Sequence, residues 1–306
     1  MLDPVELFPE IPNLYQFPSV HAGMLYDEER VAKYSAAINQ VVKKGDVVAD
    51  IGTGTGLLAF LCLKAGAKRV HAIERSPAIN WAKLIADKNG LSDRIVFHKQ
   101  DSRDCNLPEK VDVVVSELIG HIAFEEGMAE SLFDAKERFL ATGGVIIPEK
   151  VNLRIALVEE NEVYPECIDC WQDIEGVDYS LMREEAIKAL YLTSLSSRDL
   201  LSEPKTFFRV NFKEKCQLNL QKSRSFNVCR SGKINGIALW FEAYLSSNVT
   251  LSSGPWSRTH WKQCFAPIAR PIAVNAGDTI SVNIKMNLRT KIHDFFKFDF
   301  RVRKGV

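Results

Sequence analysis

The sequence predicts an α/β fold in its first half joined to an antiparallel β fold in its second. Three observations carry this. Short apolar runs alternate with helix-period segments from Val47 to Pro148; the cluster Gly52-Thr-Gly54-Thr-Gly56 sits where the first run ends; and after Pro148 the hydrophobic period falls to two. A chain of 306 residues has room for two domains. We divide it into an N-terminal arm (1–20), a Rossmann-like domain (21–148) and a β domain (149–306) with a mostly helical insert at about 160–203.

In chain order, residues 1–20 are rich in proline and aromatics and read as an irregular arm. Met24 to Val42 reads as a helix with Val31, Tyr34, Ile38 and Val41 on one face. Strands are expected at 47–51, 70–73, 95–98 and 111–116, and helices at 56–65, from Ser76-Pro77 to Gly90, and from Glu125 to Leu140. Val111-Asp-Val-Val-Val is nearly continuous in β-branched residues, as in a strand buried on both faces. Strands alternating with helices argue for a parallel, doubly wound sheet. In the second half, apolar residues alternate with polar ones at 151–157, 280–286 and 296–302, the pattern of an antiparallel barrel or sandwich.

Lys plus Arg balance Asp plus Glu at 39 each, so no global field attracts nucleic acid. The start lacks the basic and apolar regions of a signal peptide, and no run of 18 apolar residues predicts a membrane span. A cytoplasmic protein is the expectation. The cysteines number seven, and Cys167-Ile-Asp-Cys170 lacks partner ligands at zinc spacing, so reduced thiols without a metal are expected.

The glycine cluster follows a strand and precedes a helix, which lets backbone bend sharply beside a ligand. Glu74 lies twenty residues past Gly54, where an acid holds ribose hydroxyls. Both a nicotinamide dinucleotide and S-adenosylmethionine (SAM) satisfy this outline. Two details favour SAM. The dinucleotide pattern needs glycine at position 57, which is Leu57 here; and Asp50, just before the glycines, opposes a pyrophosphate but suits an ammonium. Asp50, Gly52, Gly54 and Glu74 together resemble the first motif of class I methyltransferases, in which Asp101-Ser102 would meet adenine.

The fourth strand runs into Ser116-Glu117-x₈-Glu126-x-Met128. Two carboxylates aimed at one point repel unless a cation joins them, and a guanidinium pairs with them bidentately. This spacing resembles the paired-glutamate loop of protein arginine N-methyltransferases. Thr259-His260-Trp261 resembles their threonine-histidine-tryptophan loop, and His21-x-x-Met24-Leu-x-Asp27-x-x-Arg30 the helix that covers their cofactor. Trp171-x₃-Glu-Gly176-Val-Asp178 resembles the start of their dimerisation arm.

The resemblance implies the following roles. Arg30 and Asp50 hold the methionine end of SAM under His21 and Met24; Glu117 and Glu126 clamp the acceptor; His260 with Asp27 accepts or relays a proton; Tyr15, Met24, Met128 and Trp261 line the acceptor. It implies a Rossmann-like domain followed by a β-barrel with a helical dimerisation arm, and a homodimer. The reaction implied is SAM-dependent methylation of a guanidino nitrogen, of protein arginine or of free arginine or a similar metabolite, leaving S-adenosylhomocysteine. The chain departs from the family at the arm, where only Tyr15 of the aromatic signature remains, and in the paired-glutamate loop, where Leu118 replaces tryptophan and Glu125 an aromatic. Two other classes fit less of the pattern: a non-catalytic SAM-binding module or one with a non-guanidine acceptor, and a nicotinamide oxidoreductase.

Overall fold

A computed structural model describes residues 17–214, 219–287, 296–297 and 303–304. The single helix expected over 24–42 is two: α1 (Pro18–Leu25) and α2 (Glu28–Val41). The break has a local cause. Asp27 takes extended backbone, and its Oδ1 accepts the Arg30 amide at 2.9 Å, an N-cap that starts a new helix. From there α2 buries Tyr34, Ala37 and Ile38 on the face the spacing marked.

The parallel half runs β1 (Val47–Ile51), α3 (Leu57–Ala65), β2 (Arg69–Ile73), α4 (Ile79–Lys88), β3 (Ile95–His98), β4 (Val111–Ser116), α5 (Met128–Arg138) and β5 (Leu140–Ile147). Its strand order is β3-β2-β1-β4-β5, with every pairing parallel. Chain order reverses between β1 and β4, which opens a ligand crevice at their carboxyl ends. Gly52, Glu74, Asp101 and Glu117 all follow strand ends on that edge. Two helices start later than their sequence signals. Ser76 uses its Oγ on the Ala78 amide (3.2 Å) ahead of α4. The residues expected to open α5 at Glu125 instead belong to a loop that ends at Gly127, φ +78°.

The second half comprises β6 (Lys150–Val158), β7 (Asp173–Ile174), β8 (Val177–Asp178), α6 (Leu181–Ala186), β9 (Tyr191–Thr193), β10 (Lys205–Asn211), β11 (Asn219–Asn227), β12 (Gly232–Ser246), β13 (Val249–Ser252), β14 (Gln263–Val274), β15 (Thr279–Asn287), β16 (Phe296–Lys297) and β17 (Arg303–Lys304). Among the described residues the β-barrel half consists of two antiparallel sheets, β10-β6-β12-β14-β9 with β13 on β12, and β11-β15-β16 with β17 on β15. The alternation expected over 296–302 is described only at β16; the rest lies outside the described residues.

The insert carries less helix than expected. It holds a five-residue π turn (Tyr164–Ile168), the β7–β8 hairpin and the six-residue α6. Pro165 and the hairpin turn at Gly176 (φ +81°) limit helix length there. One apolar core runs through both halves, from Val48 and Val114 to Leu153, Phe241 and Trp261. The Ser246 hydroxyl on Gln40 Oε1 (2.8 Å) adds a polar tie between the halves. No helix among the described residues is long and apolar enough to cross a membrane.

Candidate active site

The glycine loop is held against β2, with the Gly52 and Thr53 amides both donating to the Ile73 carbonyl at 2.9 and 3.0 Å. Gly52 has φ +73°, and a side chain there would meet Leu118 Cδ2 at 2.5 Å. Leu118, just past β4, therefore packs on bare backbone at Gly52. His21 is buried, and its ring lies 3.6 Å from where a Gly54 Cβ would be, so α1 roofs the loop.

Asp50 is fully buried. Its Oδ2 accepts the Thr53 hydroxyl (2.6 Å) and the Ala59 amide (3.0 Å), while Oδ1 is buried with no partner. Burial pushes its pKa up from 3.8 to about 7 against those two hydrogen bonds. A buried carboxylate oxygen without a donor is costly, and a cation is the ligand that relieves it. Glu74 accepts the Gly54 amide at 3.1 Å and the Ser76 amide at 2.7 Å, one on each oxygen, which leaves a lone pair on each. Asp101 is drawn to Arg103, whose Nε lies at 2.9 Å; that guanidinium holds the carboxyl at about 2. Ser102 beside it is buried.

Arg30, expected from the sequence to hold a ligand carboxylate, is already paired in part. Its Nε and Nη2 both donate to Glu117 Oε2, at 2.8 and 2.5 Å, and Nη1 donates to the Met24 carbonyl at 2.8 Å. Both side chains are nearly buried, so each compensates the other's lost hydration. Burial works against the Arg30 charge, but Glu117 holds the pKa above its ordinary value. Two of its five N–H groups remain for a ligand. Glu117 Oε1 accepts the Ile119 amide at 3.1 Å, and the Tyr34 hydroxyl donates to the Ser116 carbonyl at 3.0 Å.

Glu126 sits on the exposed side of the 117–127 loop. The carboxylate that turns inward is Glu125, whose Oε1 accepts the Ile122 amide at 2.9 Å. Met128, expected at the acceptor, is fully buried as the first residue of α5, because an apolar side chain there completes the core. Met24, in the last turn of α1, is half-buried, and its carbonyl takes Arg30 Nη1. Tyr15 lies outside the described residues.

His260 and Asp27, 233 residues apart, meet as expected. Asp27 Oδ2 lies 2.7 Å from His260 Nδ1 and accepts the His260 amide at 2.8 Å. Nδ1 thus faces the carboxylate, and Nε2 is the ring nitrogen left on the other side. A cavity of about 350 Å³ opens beside this pair, lined by Gly23, Tyr26, Glu28, Arg258 and Thr259. The Thr259 hydroxyl is buried without a partner. Trp261, expected on the acceptor surface, is instead a brace. It is buried, packs edge-on against Phe241 at 4.9 Å, and donates its indole N–H to the Ile119 carbonyl at 2.8 Å. An indole that reaches a loop carbonyl from within the core does more by burial than by exposure.

Asp27, Arg30, Glu117 and His260 thus form one connected network from three segments of chain. Tyr34 and Thr53 also belong to the site and carried no motif. Tyr34 was legible only as a core residue of a helix, and Thr53 only as a spacer between glycines.

Residues 149–305 match the arginine methyltransferase oligomerization subdomain, and residues 35–152 match the ribosomal protein L11 methyltransferase (PrmA) family. The chain is 31% identical to protein arginine N-methyltransferase 1 of Saccharomyces cerevisiae, over 94% of its own length and 87% of that protein's. It belongs to the protein arginine N-methyltransferase family. Protein arginine N-methyltransferase 6 of Xenopus laevis is 32% identical over 89% of this chain and 85% of its own. Among solved structures, the Trypanosoma brucei PRMT1 enzyme-prozyme heterotetrameric complex with AdoHcy superposes with a TM-score of 0.87 at 20% identity, covering 95% of this family member and 98% of that chain. Arabidopsis thaliana protein arginine methyltransferase 10 follows at 0.79 and 22%, covering 95% and 97%. These neighbours share the two-part fold: a parallel methyltransferase sheet carrying an antiparallel β half.

Proposed function

We propose that this chain transfers methyl groups from SAM to a guanidino nitrogen of arginine in a protein or peptide. The observation that carries the reading is the network Glu117–Arg30–Asp27–His260, which joins a carboxylate suited to a guanidinium to an imidazole with a free Nε2.

The residues present fit SAM. Asp50 has an unpartnered buried oxygen for its ammonium, Arg30 keeps free N–H groups for its carboxylate, and Glu74 keeps lone pairs for its ribose. Asp101, Ser102, His21, Met24, Gly52 and Gly54 complete that side. When bound, SAM supplies a methyl group on a positively charged sulfur.

The chain's own residues must prepare the acceptor. A guanidinium delocalises its lone pairs and has a pKa above about 12, so free base is scarce. Glu117 and Glu126 draw positive charge toward the nitrogens they hold and leave the remaining nitrogen richer in electrons. His260 Nε2 takes the proton that this nitrogen sheds, and Asp27 stabilises the imidazolium formed. Tyr15, Met24 and Met128 belong to the acceptor side by family position, Met128 from beneath the surface, and Trp261 by bracing the loop.

The exposed apolar residues Ile174, Val177, Tyr179, Leu181 and Met182 of the insert support a homodimer, as does the exposed group Trp81, Leu84 and Ile85 on α4.

The test is incubation with methyl-labelled SAM and three acceptors: an arginine peptide, its lysine counterpart and free arginine. Fragmentation mass spectrometry then locates the label. Label on arginine of the peptide is expected. Label on lysine, or none across the panel, overturns the reading; label on free arginine alone moves the acceptor to a metabolite.

A further inference from the structure

Glu125, expected to open the helix that runs to Leu140, lies in the preceding loop and points into the protein. Its carboxyl carbon lies 2.0 Å from the position a Gly120 Cβ would occupy, so only glycine at 120 admits it. Oε1 takes the Ile122 amide, and Oε2 is buried with no partner. The loop around it is folded on itself. The Ala123 amide donates to the Gly120 carbonyl at 3.1 Å, and the Gly127 amide to Phe124 at 3.2 Å. Ala123 sits at φ +78°, a conformation that residues with a side chain resist. The Cys264 thiol of β14 faces the carboxyl closely enough for both burial and Glu125 to raise its pKa. Burial likewise lifts Glu125 to about 7, against the pull of backbone amides of the same loop.

A buried carboxyl with one unsatisfied oxygen is a poor device for stability. It is a good device for fixing one loop shape, because the carboxyl fits only when residues 120–123 turn as they do. Glu117 and Glu126 flank that turn, and Trp261 grips it from below at Ile119. Resting on the arginine-methylating reading of this site, we infer that Glu125 is a positioning residue. It pins the 117–127 loop from inside and so sets where Glu117 and Glu126 stand around the acceptor.

The test uses the full chain with Glu125→Gln, Glu125→Leu, Gly120→Ala and the Leu/Ala double variant. Gln keeps the acceptor for Ile122 and is expected to retain near wild-type kcat. Leu is expected to lower kcat about 100-fold, the scale of an ångström-level misplacement, with SAM affinity by calorimetry unchanged. Gly120→Ala ejects the carboxyl and is expected to match that loss. The double variant loses no more than either single one, because both break the same contact. Hydrogen exchange of the 119–127 amides reads the loop without any turnover and is expected to speed up in Leu and Ala variants but not in Gln. Wild-type kcat in Glu125→Leu, or unchanged loop exchange, overturns the inference. If wild type methylates no guanidine, the functional reading falls, and the exchange measurement alone decides the loop.

Discussion

At the scale of single residues, Asp50 makes the sharpest commitment. Its folded pKa, about 7, stands above its ordinary 3.8, so over that window the folded chain holds a proton that the unfolded chain has lost. Its contribution to stability therefore falls as pH rises from about 4 to 7 and is level beyond. Binding an ammonium needs the ionised form. SAM affinity is thus expected to rise with pH up to about 7, with a proton released on binding below it. Calorimetry in two buffers of different ionisation enthalpy reads both; a flat affinity across the window removes Asp50 from the ammonium site. Arg30 carries a different prediction. Arg30→Ala leaves Glu117 buried and unpaired, and is expected to cost about 3–5 kcal/mol in denaturant unfolding. His260 is partly exposed and its side chain holds no core position. His260→Gln is expected to leave the melting temperature near wild type while kcat drops about 10²–10⁴-fold, the usual worth of a general base. Equal losses of stability and rate would make it a structural histidine instead.

At the scale of elements, the site depends on how loops are tied to regular structure. Trp261→Phe removes one hydrogen bond and leaves the Ile119 carbonyl unsatisfied, at a cost of about 1–3 kcal/mol. Because that carbonyl lies in the paired-glutamate loop, kcat is expected to fall with stability, and a thermal melt beside a rate assay checks it. The same loop shows where sequence reasoning ended. Val111–Ser116 was legible to the residue, because a nearly continuous β-branched run has few alternative packings. So was the meeting of His260 with Asp27, through motif order. The boundary at Asp27 was missed, although aspartate before Glu28-Glu29 is an N-cap signal that helix periodicity masked. Glu125 turning inward, Arg30 taking Glu117 and Trp261 burying its ring depend on long-range packing. No local period encodes which of two adjacent glutamates a loop will bury.

At the scale of the whole molecule, one apolar core runs from the parallel sheet into the antiparallel half, so the meeting of Asp27 with His260 between the halves is built by folding itself. The apolar residues of the insert remain uncovered in a single copy. Leu181, at 73% exposure, is the most open of them. Wild type is expected to sediment as a dimer at micromolar concentration and Leu181→Asp as a monomer. A wild-type monomer would assign the exposed patch another partner.

The Arg30–Glu117 pair has a consequence for how many times the site can act. On the proposed reading, Arg30 and a bound arginine bring two positive charges; Glu117 and Glu126 bring two negative ones, and the sum over these four groups is zero. Adding a methyl cation and shedding a proton through His260 returns the same sum. The methylated product is therefore held by the same electrostatics as the arginine that entered. What separates one round from the next is the volume of a methyl group and the reach of the remaining nitrogen.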